Sequence, residues 1–227
     1  MIPIRDVIPS RTTPIVTFSL IIANALAFLY QVSLSPTAGA SLVHTFGMQP
    51  SYLSSHLLGA SSATLVTAMF FHLGWTHLIG NLLFLWIFGN NVEDRFGHLR
   101  FLAFYLLAGM GANLIQVWHT PNLADPVIGA SGAIAAVMGA YLVLFPKSRV
   151  VMLIWLVFYV DFVEIPAVLF LGFWFLFQFA GGLGPGAVLS GIAFAAHIGG
   201  FAIGALSGRL LARPERIAVS WWDLSTP

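Results

Sequence analysis

Long apolar stretches dominate the chain and are separated by short polar segments. A helix that crosses a bilayer needs about 20 mostly apolar residues, and six stretches approach that length. They cover residues 14–34, 75–90, 101–118, 130–145, 163–180 and 189–211. The pattern therefore predicts an all-α fold: a polytopic membrane bundle of six transmembrane helices, forming one membrane domain over residues 1–227.

A further apolar stretch, residues 150–160, is interrupted by Asp161, Glu164 and Pro166. Acidic residues followed by proline are typical of a helix start. We therefore expect the fifth span to begin at this point, with the two carboxyl groups capping it. Residues 150–160 would then lie at the membrane interface. A bundle of seven spans is the main alternative.

Composition supports a membrane location for most side chains. Hydrophobic residues make up 59% of the 227 and charged residues only 7%, with a mean hydropathy of +0.91, whereas about a quarter of a soluble domain is charged. The net charge of +1 provides no basic field for nucleic acid. The chain has no cysteine, which excludes disulfides, thiolate chemistry and cysteine-bound zinc.

The cations predict an orientation. Loops one, three and five contain no Lys or Arg, and all nine cations lie in the termini and in loops two and four. They are Arg5, Arg11, Arg95, Arg100, Lys147, Arg149, Arg209, Arg213 and Arg216. Six spans bring these four segments to one side, which the positive-inside rule makes cytoplasmic. We expect a multi-pass protein of the cell (cytoplasmic) membrane with both termini in the cytoplasm.

Polar groups inside spans are costly and are functional candidates. Spans two, four and six all run inward in this topology. Asn81 precedes Glu93 by 12 residues, Ser131 precedes Lys147 by 16, and His197 precedes Arg209 by 12. At 1.5 Å per residue these side chains lie about 18–24 Å above the inner interface. His77 precedes Asn81 by four residues and shares its helical face.

This set of side chains could perform acyl transfer. A serine hydroxyl becomes a nucleophile when a base removes its proton, and histidine is the usual base near neutral pH. We expect Ser131 and His197 to be the nucleophile and the base. Side chains of Asn81 and His77, with the Ser131 N–H, could stabilise the oxyanion. Because no acidic residue lies in the outer part of a span, a dyad is expected, with Asp125 of loop three a weak candidate for a third member.

Small residues predict which helices touch. They recur every four positions on two spans: Gly132, Ala136 and Ala140 on the fourth, and Gly200, Gly204 and Gly208 on the sixth. Such stripes let membrane helices approach closely. The two spans should therefore pack together and bring Ser131 within reach of His197.

At these positions the sequence closely resembles the rhomboid family of intramembrane serine proteases. The family's Gly-x-Ser-Gly motif stands at residues 129–132, and its Ala-His-x-x-Gly-x-x-x-Gly motif at residues 196–204. Its His-x4-His-x3-Asn pattern stands as His72, His77 and Asn81. A variant of the family's Glu-x-Arg-x-x-Gly motif stands at residues 93–97. The likeness extends from the first span to about Arg213.

The resemblance implies a minimal six-helix member, of bacterial type, that cuts transmembrane substrates near the outer surface. It implies no metal and no cofactor, and an active site that opens to the extracytoplasmic side. Glycines 129, 132, 200 and 204 and His72 would support the site, with His72 holding the first loop. Span five would move as a side gate carrying Trp174 and Phe175. The first loop, including residues 46–58, would lie in the outer leaflet.

One departure from the family bears on the base. Many relatives have an aromatic residue four positions after the serine, where it stacks on the catalytic imidazole, and here that position is Ala135. The orientation of His197 must then come from elsewhere, such as another aromatic residue.

Three other functions compete with proteolysis by a serine. A metalloprotease lacks support because the chain has no His-Glu-x-x-His motif, and a transporter because no internal repeat is visible. The stronger alternative is a catalytically silent rhomboid-like protein that binds transmembrane clients. The presence of both Ser131 and His197 favours the protease.

Overall fold

The computed structural model describes residues 1–57, 59–156, 158–184 and 191–213. Its strands and helices, in chain order, are β1 (Ile2–Asp6), α1 (Ile15–Ser33), α2 (Pro36–Phe46), α3 (Pro50–Leu53), α4 (Thr64–Thr67), α5 (Trp75–Phe96), α6 (His98–His119), α7 (Ser131–Leu144), β2 (Arg149–Leu156), β3 (Tyr159–Pro166), α8 (Ala167–Leu183) and α9 (Phe194–Leu211). Two 3-10 turns, Ala60–Ala63 and Ala68–Phe70, flank α4.

The predicted polytopic helix bundle is confirmed, because α1, α5, α6, α7, α8 and α9 correspond to the six predicted spans. By length and composition α1, α6 and α9 can each cross a membrane. Helix α5 forms a fourth candidate together with residues Ala60–Phe70, from which it is bent by 85°. Helices α7 and α8 are apolar but shorter, with 14 and 17 residues. Residues 189 and 190 of the sixth predicted span lie outside the described residues.

Helix α7 lies at the centre of the bundle, with every residue from Gly132 to Tyr141 buried. The two stripes of small residues interlock in register. A Cβ atom on Gly204 would lie 1.8 Å from the carbonyl oxygen of Ala136, and one on Gly208 would lie 3.0 Å from the Cα atom of Ala140. Helices α7 and α9 therefore meet backbone to backbone, as the spacing of the small residues predicts.

The segment between α7 and α8 differs from the prediction. Residues 149–166 form the antiparallel strands β2 and β3, and β1 completes a sheet in the order β1-β2-β3. Valines and aromatic residues favour extended backbone, and β1 provides β2 with a second hydrogen-bonded neighbour. The interpretation of residues 150–160 as an interfacial apolar segment missed this sheet, because its third strand is remote in sequence.

The start of the fifth span was also misassigned. Helix α8 begins at Ala167 instead of residue 163, and no side chain caps its N-terminus. Asp161 and Glu164 lie in β3. The Asp161 carboxylate accepts hydrogen bonds from the Tyr159 hydroxyl and the Phe162 N–H. The acidic residues therefore belong to the sheet, and Pro166 alone precedes the helix.

A buried polar network joins the sheet to the bundle. The carboxylate oxygen Oδ2 of Asp6 accepts hydrogen bonds from the Tyr141 hydroxyl at 2.6 Å and from the Asn91 amide at 2.7 Å. The Tyr141 hydroxyl also lies 2.6 Å from the Ser148 hydroxyl. These contacts fix β1 against the ends of α5 and α7.

A second network closes the same end of the bundle around Glu93, which is fully buried. Its carboxylate accepts hydrogen bonds from the backbone N–H groups of Val16 and Thr17 and from the Thr17 hydroxyl, and it lies 2.5 Å from His98 Nδ1. The first N–H groups of a helix have no partner within that helix. Glu93 therefore caps α1 from the end of α5, which gives residues 93–97 a structural role.

The first loop folds over the opposite end of the bundle. Met48 and Val127 exchange two backbone hydrogen bonds, of 3.1 and 2.8 Å, and the Gly129 N–H donates to the Ala68 carbonyl at 2.9 Å. A small apolar cluster that includes Met48 and Leu65 lies beneath these contacts. The first loop thus holds in place the segment that leads into Ser131.

Candidate functional site

Ser131 is the first residue of α7, and the backbone before it determines where its side chain points. Gly129 has a φ angle of +128°, which favours glycine, and a Cβ atom there would lie 2.7 Å from His77 Cε1. The chain therefore turns tightly against the His77 ring before α7 begins. This turn leaves the Ser131 N–H in the first helical turn, where it has no acceptor within the helix.

His197 lies in the first turn of α9, opposite the serine. The Ser131 hydroxyl oxygen is 2.6 Å from His197 Nε2, a short hydrogen bond. The close approach of the two helices makes this possible, because a Cβ atom on Gly200 would lie 2.1 Å from the carbonyl oxygen of Gly132. The structure thus brings together the two residues predicted as nucleophile and base.

The other ring nitrogen of His197 has a partner that the sequence analysis missed. Nδ1 lies 2.8 Å from the side-chain oxygen Oε1 of Gln178, on α8. Asp125, the weak candidate for a third member, is exposed and lies in a neighbouring pocket. The sequence feature that could have identified this partner is Gln178 itself, a polar residue in an otherwise apolar helix, four residues after Trp174.

Asn81 and His77 face the same cavity as the Ser131–His197 pair. This cavity, of about 510 Å³, is lined by Ser131, His197, His77, Asn81, Trp174 and Gln178, among others. The Asn81 amide nitrogen Nδ2 is buried, and none of the described residues offers it a hydrogen bond. The His77 ring accepts a hydrogen bond from the Leu73 N–H at 3.4 Å through Nδ1. Both side chains therefore have hydrogen-bonding capacity available to a group in the cavity.

The two gate candidates take different positions. The Trp174 ring is 6.0 Å from the His197 ring and tilted by 39° to it, and it lines the cavity. Both rings contact Phe201, at 6.1 Å for Trp174 and 4.9 Å for Phe175 between ring centroids, but Phe175 does not line the cavity. Ala135, four residues after Ser131, is fully buried and provides no aromatic ring beside the imidazole. An aromatic residue from α8 thus lies beside the imidazole, together with the Gln178 amide.

His72 does not line the cavity. It is fully buried ahead of α5, and its ring packs against the rings of Phe28 and His77. Its backbone carbonyl accepts a hydrogen bond from the Gln31 amide at 2.8 Å. His72 therefore connects the end of α1 to the start of α5, beside His77.

The arrangement provides the parts needed for nucleophilic attack on a carbonyl group. The Ser131 hydroxyl lies within hydrogen-bonding distance of an imidazole whose far nitrogen also has a partner, an arrangement in which a ring can activate a serine. Asn81 and His77 line the same cavity as Ser131 and His197, and their side chains, with the Ser131 N–H, are of the kind that can donate to an oxyanion. No cluster of three or more metal-binding side chains occurs among the residues described here.

Comparison with known proteins places residues 59–214 in a match to the Rhomboid domain family. Over 161 residues, 67% of this chain, it is 29% identical to rhomboid protein 1, mitochondrial, of Saccharomyces cerevisiae, and the match covers 43% of that relative. It is 48% identical over 69 residues to rhomboid-like protein 11, chloroplastic, of Arabidopsis thaliana, and 39% identical over 85 residues to rhomboid protease GluP of Bacillus subtilis. These two matches cover 30% and 37% of this chain, and only 24% and 16% of the relatives.

Proposed function

The chain belongs to the rhomboid family, and we propose that it is an intramembrane serine endopeptidase acting through Ser131 and His197. Its substrates would be membrane proteins with transmembrane helices, cut in or near those helices. One relative, from Bacillus subtilis, is named a rhomboid protease. The proposal is supported above all by the 2.6 Å contact between the Ser131 hydroxyl and His197 Nε2.

The reaction would begin with attack of Ser131 Oγ on the scissile carbonyl carbon. His197 Nε2 takes the hydroxyl proton as the new C–O bond forms, and the carbonyl oxygen becomes an oxyanion. Asn81 Nδ2, a buried donor with no partner in the described part of the chain, is suited to stabilise that charge. The Ser131 N–H and the His77 ring, on two residues that also line the cavity, would provide further donors.

The second half of the reaction releases both products. The protonated His197 gives its proton to the leaving amine as the C–N bond breaks, and an acyl-enzyme on Ser131 remains. A water molecule then attacks the ester carbonyl, His197 takes its proton, and the carboxylic product leaves. The residues themselves provide every proton transfer, so this scheme uses no metal or cofactor.

Access to the cavity would be through the side of the bundle. Helix α8 exposes large apolar side chains, including Phe173 at 63% and Phe177 at 76%, as expected for a helix in contact with lipid. Trp174 lies on the inner side of this helix, at the cavity wall. We propose that α8 moves to admit a substrate helix, with Trp174 at the entrance and Phe175 seated on Phe201.

We further propose the orientation expected from the cations, with both termini cytoplasmic and the cavity opening outward. Because the chain has no cysteine, single substitutions give one reactive thiol each. In intact cells, Ser61→Cys should react with a membrane-impermeant maleimide, and Lys147→Cys should react only after permeabilisation. The reverse labelling pattern would show that the chain has the opposite orientation, with both termini outside the cytoplasm.

The function itself is tested by cleavage of a tagged single-span reporter in proteoliposomes. Wild-type protein should cut it, and Ser131→Ala and His197→Ala should each abolish cutting, while a chelator has no effect. Ser207→Ala on α9 and His44→Ala on α2 lie away from the cavity and should cut normally. Failure to cut several unrelated spans, combined with their retention in pull-down, would favour the client-binding alternative.

A further inference from the structure

Gln178 joins the helix that faces lipid to the ring of His197. We propose that this amide is a positioning residue that selects the Nδ1–H tautomer of His197, leaving Nε2 free to accept the proton of Ser131. The inference rests on the proposed function and adds a third residue to the expected dyad. Its basis is the pair of hydrogen bonds at the two ring nitrogens, 2.8 Å to Gln178 Oε1 and 2.6 Å to Ser131 Oγ.

The argument follows from which groups can donate. A neutral imidazole has one N–H and one bare nitrogen, whereas an amide oxygen only accepts. With Gln178 Oε1 against Nδ1, the ring proton must be on Nδ1. Nε2 is then the acceptor, and the Ser131 hydroxyl can donate to it. A base in this tautomer is ready to remove the serine proton without rearranging.

The opposite orientation of the amide would have the opposite effect. Rotated by half a turn, Gln178 would present its NH2 group to Nδ1, and the ring proton would be on Nε2, facing the Ser131 hydroxyl. His197 could not then act as a base toward Ser131. The two amide orientations therefore correspond to two tautomers, and a measurement of the tautomer distinguishes them.

An amide suits this location better than a carboxylate for an electrostatic reason. Gln178 and His197 are partly buried among apolar helices, where a charge without full hydrogen bonding is destabilising. A neutral acceptor fixes the ring without that cost. Ala135, four positions after Ser131, provides no ring to stack on His197, so the amide and Trp174 together restrict the imidazole from α8.

The location of Gln178 on α8 links ring orientation to the position of that helix. One turn further on, α8 contacts α9 tightly, because a Cβ atom on Gly181 would lie 2.5 Å from Phe194 Cε1. While this contact holds, Gln178 reaches Nδ1 of His197. A displacement of α8 would remove the acceptor from Nδ1. His197 is therefore held in the Nδ1–H tautomer, with Nε2 free to accept a proton, only while α8 is packed against α9.

Kinetics of three variants test the role of the amide oxygen. Gln178→Met keeps the length of the side chain and removes the acceptor, and kcat for the reporter should fall on the order of 10–100-fold, with KM nearly unchanged. Gln178→Glu keeps an oxygen acceptor and should recover part of that loss, with a lower midpoint of thermal unfolding because its charge is partly buried. Phe179→Leu, a neighbour on α8, should behave like the wild type.

Either of two kinetic results would overturn the proposal. If Gln178→Met keeps wild-type kcat, the hydrogen bond has no positioning role. If Gln178→Glu is as slow as Gln178→Met, or Phe179→Leu falls equally, helix packing explains the effect and the oxygen does not. A fall in kcat that is rescued by Glu alone supports the assignment.

NMR spectroscopy determines the tautomer of His197 directly, in protein to which no substrate has been added. In ¹⁵N-histidine-labelled protein in nanodiscs, the His197 resonances are identified by their absence in His197→Gln. Wild-type His197 should carry its proton on Nδ1, and Gln178→Met should shift the ring toward a mixture of tautomers. A proton on Nε2 in the wild type, or an unchanged ring in Gln178→Met, would contradict the proposal.

The two experiments separate this inference from the proposed function. If wild-type protein cuts no reporter while the Nδ1–H tautomer depends on Gln178, the protease assignment fails and the positioning contact stands. If the wild type cuts and Ser131→Ala does not, but Gln178→Met changes neither kinetics nor tautomer, the protease stands and the role of Gln178 is wrong.

Discussion

Gly200 of α9 lies against the backbone carbonyl of Gly132 in α7, so closely that a Cβ atom on Gly200 would come within 2.1 Å of the carbonyl oxygen. No rotamer change relieves such a clash, because the obstructing atom is backbone. Gly132 directly follows Ser131, and Gly200 lies about one helical turn after His197. The distance between the proposed nucleophile and base is therefore set by glycine packing.

Gly200→Ala should accordingly separate α7 from α9 and impair both stability and cleavage. Overpacking of this kind costs about 1–3 kcal/mol, and a shift of the reacting groups by about 1 Å can lower the rate on the order of 100-fold. Reporter cleavage and thermal unfolding in detergent provide the two measurements. Gly172→Ala, where a Cβ atom meets nothing within 4 Å, is the control and should leave both unchanged. Normal cleavage by Gly200→Ala would mean that the helices can adapt at this contact.

Much of this packing could be predicted because its determinants are local. Four-residue spacing of small residues identifies the faces of α7 and α9 that meet, and single motifs place Ser131 and His197 on those faces. The orientation of the His197 imidazole depends instead on Gln178, which lies on α8 outside the serine and histidine motifs. Its hydrogen bond is visible only when α8 and α9 are seen together.

The sheet illustrates the same limit. Residues 150–160 are apolar enough to be taken for an interfacial segment, and only the pairing of β2 with both β1 and β3 makes them strands. The pairing of Ile2 with Leu153 joins residues about 150 positions apart. Patterns within one stretch of sequence carry no information about such a partner, whereas helical periodicity is complete within each span.

Asn81→Ala should lower the rate of cleavage without lowering the stability of the folded protein. If Asn81 stabilises the oxyanion, its loss should lower kcat about 100–1,000-fold with little change in KM. Because its buried amide nitrogen has no hydrogen-bond partner among the residues that the structure describes, the variant should unfold at the same midpoint temperature as the wild type or a higher one.

Asn113→Ala is the matched control for this prediction. The Asn113 amide is also buried, but it donates to the Leu65 carbonyl at 2.9 Å. Its removal should lower stability by about 1 kcal/mol and leave kcat unchanged. An Asn81→Ala variant that is destabilised but retains kcat would assign Asn81 a packing role.

Glu93→Ala should be among the most destabilising single substitutions in the bundle. It removes the acceptor for two backbone N–H groups and one hydroxyl at the start of α1, and groups left buried without a partner cost about 1–3 kcal/mol each. We expect a loss of about 3 kcal/mol or more, measured by thermal or denaturant unfolding in detergent. Glu164→Gln, whose carboxylate is half-exposed beside Arg149, should change stability by less than about 0.5 kcal/mol. Equal effects of the two substitutions would contradict the assignment of Glu93 as the cap of α1.

The Asp6 carboxyl should make stability depend on pH. Burial raises the pKa of Asp6 from 3.8 to about 6, and the hydrogen bonds from Tyr141 and Asn91 offset only part of that rise. The folded protein therefore holds this proton more tightly than the unfolded chain does. The resulting stabilisation, about 3 kcal/mol, is complete below the unfolded pKa of 3.8 and is lost as pH rises through the folded value of about 6.

Asp6→Asn isolates this contribution, because asparagine keeps an oxygen that can accept from the Tyr141 hydroxyl and cannot ionise. Thermal unfolding of the two proteins in detergent should be compared from about pH 4 to about pH 7. The midpoint for the wild type should fall relative to that of Asp6→Asn across this range, and the difference should level off once the carboxyl is ionised in both states. Parallel curves would mean that the folded and unfolded proteins bind the Asp6 proton equally. The sheet would then be attached to α7 by a carboxylate that is already charged, with the Tyr141 hydroxyl and the Asn91 amide as sufficient compensation for its burial.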